Sequence, residues 1–469
     1  MDSAPRIAPT MTVDVLINSQ TPLVQFIAPK DVAGEALWAD SAEIGDFTEG
    51  ADFRYSPGGV TRMVYPLVRR LISQKVVGAA HWVSLNPTGP RTLRLPGLTL
   101  HNVRLDAGRM SGYGRAKEAI WSAAHGLDPE QTHPDLFWSE EFAEYAFYGR
   151  RTARRIRELD RDHDFDLFYI HDFQQLPVGE MLDTMKPKIF RWHIPFDAAR
   201  IPEEWRAAFV RYLGSYDVVV VSSEAYRRGL ERLGFRGKTR LQHPYIDPGE
   251  YSRPSREEAD REAARFGLGP TDIVALVVAR MDPAKGQDRA IAAVAELAPR
   301  HPKLKLVLIG NGSFSGSAQG VGLGKGARWR EHLQKEANRL EISDRVIFAG
   351  HVPQRGLDAM YERADLTILP SVNEGFGLVV VESWLHERPV IVTRRAGIAE
   401  MIRHGHNGLL VDPDDISALA SAIERIADDD GSLTRRLGRN GRTTARACSV
   451  ESAWKAEADL LREVVEGPG

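Results

Sequence analysis

Two stretches in the second half of the chain put chemically useful side chains at turns a ligand can reach. The apolar run IVALVVA (273–279) is followed by RMDPAKG, which places Arg280 and Lys285 five residues apart around a turn. A planar guanidinium fork and an ammonium point charge on one loop suit the two phosphoryl groups of a diphosphate. They suit a pair of solvated surface charges equally well, so this turn alone does not separate the two readings. The second stretch, SVNEGFGLVVVES (371–383), follows LTILP (366–370). Gly375 and Gly377 let the backbone turn sharply and approach a ligand with no Cβ in the way. A helix predicted to start near Leu378 leaves free N–H groups there, which favour a phosphate. Glu374 stands before that helix and Glu382 about one turn inside it. Carboxylates accept hydrogen bonds from paired sugar hydroxyls and repel phosphate. Glu382 also reads simply as an acid in the first turn of a helix, where the dipole favours it. A sugar on Glu374, a phosphate on the glycine amides and a ribose on Glu382 together describe a nucleotide sugar.

The elements that must position these residues are visible as alternating patterns. Short β-branched runs at 273–279, 304–310, 345–350, 366–370 and 389–393 alternate with helical-period stretches such as 288–298 and 418–427. Strand–helix alternation at this spacing predicts βαβ units on a parallel sheet covered on both faces, a doubly wound Rossmann-like domain. In such sheets ligands gather at the carboxyl ends of the strands, where both turns lie. The first half repeats the theme, with strands expected at 23–29, 166–172, 188–194 and 216–223 and a helix at 60–72. A long irregular stretch, 30–56, interrupts it. The segment PYIDPGEYSRPSREEAD (244–260) reads as an interdomain linker. The fold class expected is therefore α/β, with two Rossmann-like doubly wound parallel-sheet domains facing a central cleft. Their expected boundaries are 1–248 and 249–445, with a C-terminal helix in 446–469. The Gly- and Ser-rich insertion 310–329 reads first as a surface loop and second as a lid.

The spacing from Glu374 to Glu382, with GlyPheGly behind the first acid, resembles the E-x7-E motif of retaining GT-B glycosyltransferases of the family 4 type. The Arg280–Lys285 pair resembles the same enzymes' diphosphate clamp, and AGIAEMI (396–402) and GHNGLLVD (405–412) fit the downstream pattern. Ala279 and Ala396 stand where the family usually has other small residues, and neither change removes a functional group. Four matches in order over about 130 residues are far more specific than any one of them. In the first half, YIHDFQQLP (169–177) and FRWHIPF (190–196) resemble trehalose-forming glycosyltransferring synthases. The resemblance implies that His193 reaches the donor sugar's 6-hydroxyl and that Asp172 lies on the acceptor side. It implies that SPGGV (56–60) is a glycine loop whose Gly58 and Gly59 close on the diphosphate. It also implies a terminal helix crossing back to the first domain, anchored by Trp454. The catalytic set implied is Arg280, Lys285, Glu374, His193 and Asp172. The donor-binding set is Gly58, Gly59, Gly375, Phe376, Gly377, Leu378 and Glu382.

Composition narrows the rest. With 61 Lys plus Arg against 64 Asp plus Glu, the net charge of −3 supplies no global drive toward nucleic acid. The lone cysteine, Cys448, excludes an intrachain disulfide and a thiolate zinc cluster. No signal-like head and no run of about 20 apolar residues is seen, so a cytoplasmic protein is expected. Asp160, Asp162, Asp164 and Asp166 form D-x-D patterns but precede a strand, away from the cleft, so no metal and no other cofactor is expected. The basic stretch 149–157 is followed at once by acids and is accompanied by no apolar face rich in Trp or Phe, so no membrane contact is expected. The expected reaction is transfer of a hexose, glucose by preference, from a nucleoside diphosphate to a sugar or other small hydroxyl acceptor with retention. The alternatives on the same scaffold are a nucleotide-sugar epimerase, a sugar phosphorylase, or mannosyl transfer to a glycan or lipid. A non-catalytic sugar-nucleotide sensor is a weaker option. Acceptor, nucleotide base and oligomeric state are not encoded legibly.

Overall fold

The second half builds a sheet whose central strands are buried on both faces. Ile273–Val278, Leu304–Ile309, Leu366–Leu369 and Val390–Thr393 consist almost wholly of β-branched or leucine side chains. Such runs fit a parallel sheet sandwiched between helices. With Val346–Gly350 and Leu409–Val411 they form six strands, all parallel. Numbered along the chain, their spatial order is 3-2-1-4-5-6. The order reverses between Ile273–Val278 and Leu366–Leu369, and a ligand crevice opens at such a reversal. Arg280 and Lys285 follow one of these two strands and Glu374 follows the other.

This computed structural model describes residues 12–27, 38–56, 58–127, 133–311 and 321–467, without the side chains of 107 and 321–324. Within these, the first half forms a nine-stranded sheet centred on Val13–Ser19. On one side of that strand lie Val77–Leu85, Leu98–Val103, Thr92–Leu95 and Ser41–Glu43. On the other lie Leu167–His171, Lys188–Arg191, Val218–Val221 and Thr239–Leu241. All pairings are parallel except Thr92–Leu95 with Leu98–Val103. The reversal here falls between Val13–Ser19 and Leu167–His171, which brings Asp172 to the mouth of the second crevice.

The expected strand at 23–29 is corrected. Residues 28 and 29 lie outside the described residues; among the described part, the strand is Val24–Phe26, which pairs antiparallel with Phe53–Tyr55 outside the main sheet. The central strand is Val13–Ser19 instead. The insertion 310–329 is a loop only in part, because a helix, Val321–Arg339, begins inside it, while 312–320 lie outside the described residues. The D-x-D acids, expected before a strand and away from the cleft, lie at the end of the helix Glu140–His163 and just beyond it, with Asp162 and Asp164 exposed. Asp160 and Asp164 pair with Lys186 at 2.8 and 2.6 Å, and Asp166 accepts the Asp14 N–H at 2.7 Å. They tie the amino edge of the sheet together.

The terminal helix Val450–Glu466, capped by Ser449, lies against the first sheet and the helix Gly59–Ser73. Val450, Ala458, Leu460, Leu461 and Val464 are buried there, and Glu457 forms a buried ion pair with Arg191 at 3.0 Å. Trp454, half-buried with Lys455 beside its ring, packs against the same core on the face that carries Val450, Ala458 and Leu461. The two halves also meet across the cleft. Ser222 donates to the Gly375 carbonyl at 2.9 Å, and Tyr226 donates to that of Glu374. Glu400 accepts the Glu224 and Ala225 N–H groups at 2.9 and 2.8 Å.

Candidate active site

On the second-half side, Lys285 sits in a single 3-10 turn closed by Gly286. Gly286 has φ +64°, and a Cβ there would lie 2.1 Å from the Pro370 carbonyl, so the loop after one strand is pressed onto the loop after the other. That contact delivers the Lys285 ammonium to Glu374, 2.7 Å away, with Ser371 donating to the same carboxylate oxygen at 3.1 Å. Burial, the largest influence on Glu374, would raise its pKa, but Lys285, Ser371 and then Arg280 outweigh it and hold the acid below its usual value. Glu374 is thus an ionised acceptor.

Behind it, Gly377 at φ +108° begins the helix Leu378–Leu385, and no side chain caps that start. The Phe376 side chain packs into the core beside His243, so Phe376 offers the cleft only its backbone. Leu378 is half-buried. Glu382 is buried, and its two oxygens accept from Tyr251 at 3.0 Å and Tyr361 at 2.9 Å. Arg62, from the first-half helix Gly59–Ser73, adds a third contact at 3.5 Å. A carboxylate has about four acceptor positions, so these three contacts leave about one free at Glu382. The GHNG turn is structural: the Asn407 side chain bonds the Arg403 N–H and the Met401 carbonyl.

On the first-half side, Gly58 precedes that helix and Gly59 opens it. Among the described residues, chain neighbours and the helix's own backbone aside, no atom lies within 4 Å of a Cβ placed on Gly59, and φ is ordinary at Gly58. Packing among the described residues therefore does not demand glycine at 59. Asp172 has φ +69° and ψ 163°, a conformation that costs a non-glycine residue about 1–3 kcal/mol. Its N–H bonds the Arg191 carbonyl at 2.8 Å, and its carboxylate accepts the His193 N–H at 3.2 Å. These bonds hold the strained residue in place. Burial pushes its carboxyl up to about 6, against the opposing N–H bonds. His193 is partly exposed, and burial followed by His171 and Arg191 holds it well below the usual histidine value. Its backbone meets the donor motif: a Cβ on Gly375 would lie 2.3 Å from the His193 carbonyl.

Sequence reasoning missed a third wall, the helix Ala107–His125. The exposed Arg280 guanidinium lies 5.9 Å from the Trp121 ring centre, and Lys325 lies 4.7 Å from the same ring. Lys325 also pairs with Glu118 at 2.6 Å and Asp282 at 3.5 Å. Burial holds His125 far below its usual value, and the nearby Lys285 reinforces this. Burial likewise lowers Lys117. No motif marks this helix, because its polar residues serve a cleft on one side while its apolar ones serve the core on the other. The cleft thus gathers Arg280, Lys285 and Lys325 opposite an aromatic ring, with Glu374, Asp172 and His193 at its floor. This potential suits an anionic leaving group beside a polyhydroxyl ligand.

Residues 258–444 match the glycosyl transferases group 1 family, and residues 131–228 match the trehalose synthase N-terminal domain. A D-inositol 3-phosphate glycosyltransferase of Corynebacterium jeikeium is 30% identical over 322 residues, 64% of this chain and 72% of that protein. The chain spans about half the length, 48–52%, of several other curated relatives it matches. Among solved structures, a sucrose-phosphate synthase from Thermosynechococcus elongatus superimposes with a TM-score of 0.70 at 21% identity. That alignment covers 97% of this chain and 99% of that one. A trehalose-6-phosphate protein from E. coli, described as bound with UDP-2-fluoro glucose, gives 0.74 at 16% identity over 96% and 99%.

Proposed function

Since the chain belongs to the group 1 glycosyltransferases and has the GT-B fold, we propose that it moves a hexose, glucose by preference, from a nucleoside diphosphate to a small hydroxyl acceptor with retention of the α configuration. One observation carries the reading: the backbone contact of Gly375 with His193 joins the cation–glutamate pair of one half to the strained Asp172 and His193 of the other. Arg280, Lys285 and the uncapped helix start supply positive potential where the diphosphate departs, with no reorganisation at the moment of reaction. Glu374 orients the sugar through its hydroxyls. Trehalose-type acceptors, and a uridine nucleotide like the one in the E. coli structure's description, are the first to try. The reaction needs no metal, so turnover is expected to persist in excess EDTA. Loss that magnesium or manganese restores contradicts this.

The deciding experiment is a matrix of nucleotide sugars against glucose, glucose 6-phosphate, fructose and inositol phosphate, with the product anomer read by NMR. An α-linked product is expected. Product formed from inorganic phosphate without nucleotide, or a donor epimerised at C2 without acceptor, would replace the reading. A pH profile follows from Asp172, whose ionised carboxylate is the stronger acceptor for the acceptor's hydroxyl and stabilises the proton leaving it. As pH falls through about 6, Asp172 takes up a proton, so kcat/KM for the acceptor is expected to fall about tenfold per pH unit below that point. Asp172→Asn is expected to be slow and to lack this limb. An unchanged limb in the variant assigns it to another group.

A further inference from the structure

Arg280 stands just beyond the strand Ile273–Val278, in a stretch with no helix or strand of its own. Its guanidinium is exposed and, among the described residues, pairs with no carboxylate, so its aim is set by its backbone and by the Trp121 ring. That backbone is held closely. Ala279 donates to the Ile309 carbonyl at 3.0 Å, and a Cβ on Gly310 would lie 2.0 Å from the Ala279 carbonyl. The peptide unit joining Arg280 to Met281 is then tied at both ends. Its N–H, from Met281, donates to the Asn311 carbonyl at 2.9 Å, and its carbonyl, from Arg280, accepts from Gln287 Nε2 at 2.7 Å. A peptide unit is planar, so bonds at its two opposite ends fix its rotation and with it the backbone from which the Arg280 side chain leaves.

Gln287 opens the helix Gln287–Leu297 and is fully buried. A side-chain amide presents either its oxygen or its nitrogen, and the partner on its other side decides which. Here that partner is Trp329, whose indole Nε1–H only donates and lies 3.0 Å from Gln287 Oε1. With the oxygen turned to Trp329, the NH2 group faces the Arg280 carbonyl. Trp329 packs against the second-half core from the helix Val321–Arg339. Lys325, one turn earlier on the same helix face, pairs with Asp282 at 3.5 Å, so this helix grips the loop of Arg280 at two points.

We propose that Gln287, oriented by Trp329, is a positioning residue that holds the Arg280 peptide so that the guanidinium stands ready where the diphosphate departs. A donor fixed in advance needs no reorganisation as charge develops, which is the source of its effect on rate. The functional half of this inference rests on the proposed glycosyl transfer, but the anchoring of the peptide does not.

Gln287→Met keeps the length of the side chain and removes both polar ends. It is expected to lower kcat/KM for the donor about tenfold, since a displacement of even 1 Å can cost around a hundredfold. In the Arg280→Ala background the same substitution is expected to change kcat/KM by less than about twofold, because a residue that works only through Arg280 then has nothing left to place. An equal loss in both backgrounds would mean that Gln287 supports the loop as a whole, and overturns the proposal. Trp329→Phe removes the indole N–H and keeps a ring. It is expected to give a smaller loss with the same dependence on Arg280, and it carries the test if Gln287→Met does not fold. Hydrogen exchange of the segment 279–286, read by mass spectrometry without substrate, is expected to be faster in both variants than in wild type. Unchanged exchange overturns the anchor. A wild-type chain that forms no product in the donor–acceptor matrix, with exchange faster in the variants, would refute the glycosyl transfer and leave the anchor standing.

Discussion

Arg280→Ala is expected to lower turnover by about two to three orders of magnitude, the loss typical of removing one preorganised donor from a developing anion, while the protein melts at its wild-type temperature. The guanidinium is exposed, its neighbour is the Trp121 ring, and among the described residues it pairs with no carboxylate. Its removal therefore strands no buried charge. Lys285→Ala should look different, although the two cations share a loop. Lys285 is the counter-ion of Glu374, with side chains only 11% and 16% exposed. Without it, Glu374 is a nearly buried carboxylate with Ser371 as its nearest donor, a defect on the order of 3 kcal/mol. Activity and thermal stability should fall together in that variant, and Glu374→Gln should restore stability to it without restoring turnover. Near-normal turnover in folded Arg280→Ala would take the clamp out of the mechanism.

The contrast between these two cations could not be read from RMDPAKG, because it depends on a partner 89 residues away. The same logic decides which strands were legible. Ile273–Val278 and Val218–Val221 announce themselves because burial on both faces demands unbroken apolar runs. Val13–Ser19 and Val77–Leu85 do not, because Asp14, Asn18 and His81 break their patterns. Each of these is satisfied across the sheet. Asn18 donates to the Val83 carbonyl at 2.9 Å, Asp14 accepts the Ala79 N–H at 2.6 Å, and His81 meets His101 at 2.9 Å. In the site, the turn glycines and paired acids were legible because they do local work. Trp121, Lys325 and Arg62 were not, since only the docking of one half on the other gives them a role.

Gly375→Ala tests that docking. The position is closed on two sides by backbone, with the His193 carbonyl 2.3 Å and the Ile194 Cα 3.2 Å from a new Cβ. The Gly375 carbonyl is itself pressed on Gly397, 2.4 Å from where a Cβ there would sit. The loop cannot retreat into its own domain, so the added methyl must push the two halves apart. Each half keeps its own sheet and core, and the Lys285–Glu374 pair lies wholly on one side. Each half is therefore expected to stay folded, with donor affinity and melting temperature changing far less than turnover. His193 and Asp172, however, move away from the donor, and a displacement of about 1 Å can cost around a hundredfold in rate. The widened cleft also admits water, so hydrolysis of the donor should rise relative to transfer. Small-angle scattering should show a larger radius than wild type, and in wild type a smaller radius with nucleotide sugar than without. Gly45→Ala, which meets nothing within 4 Å, is the control. Wild-type turnover in a folded Gly375→Ala protein would mean that the site works without this contact, and that donor and acceptor groups are brought together in some other way.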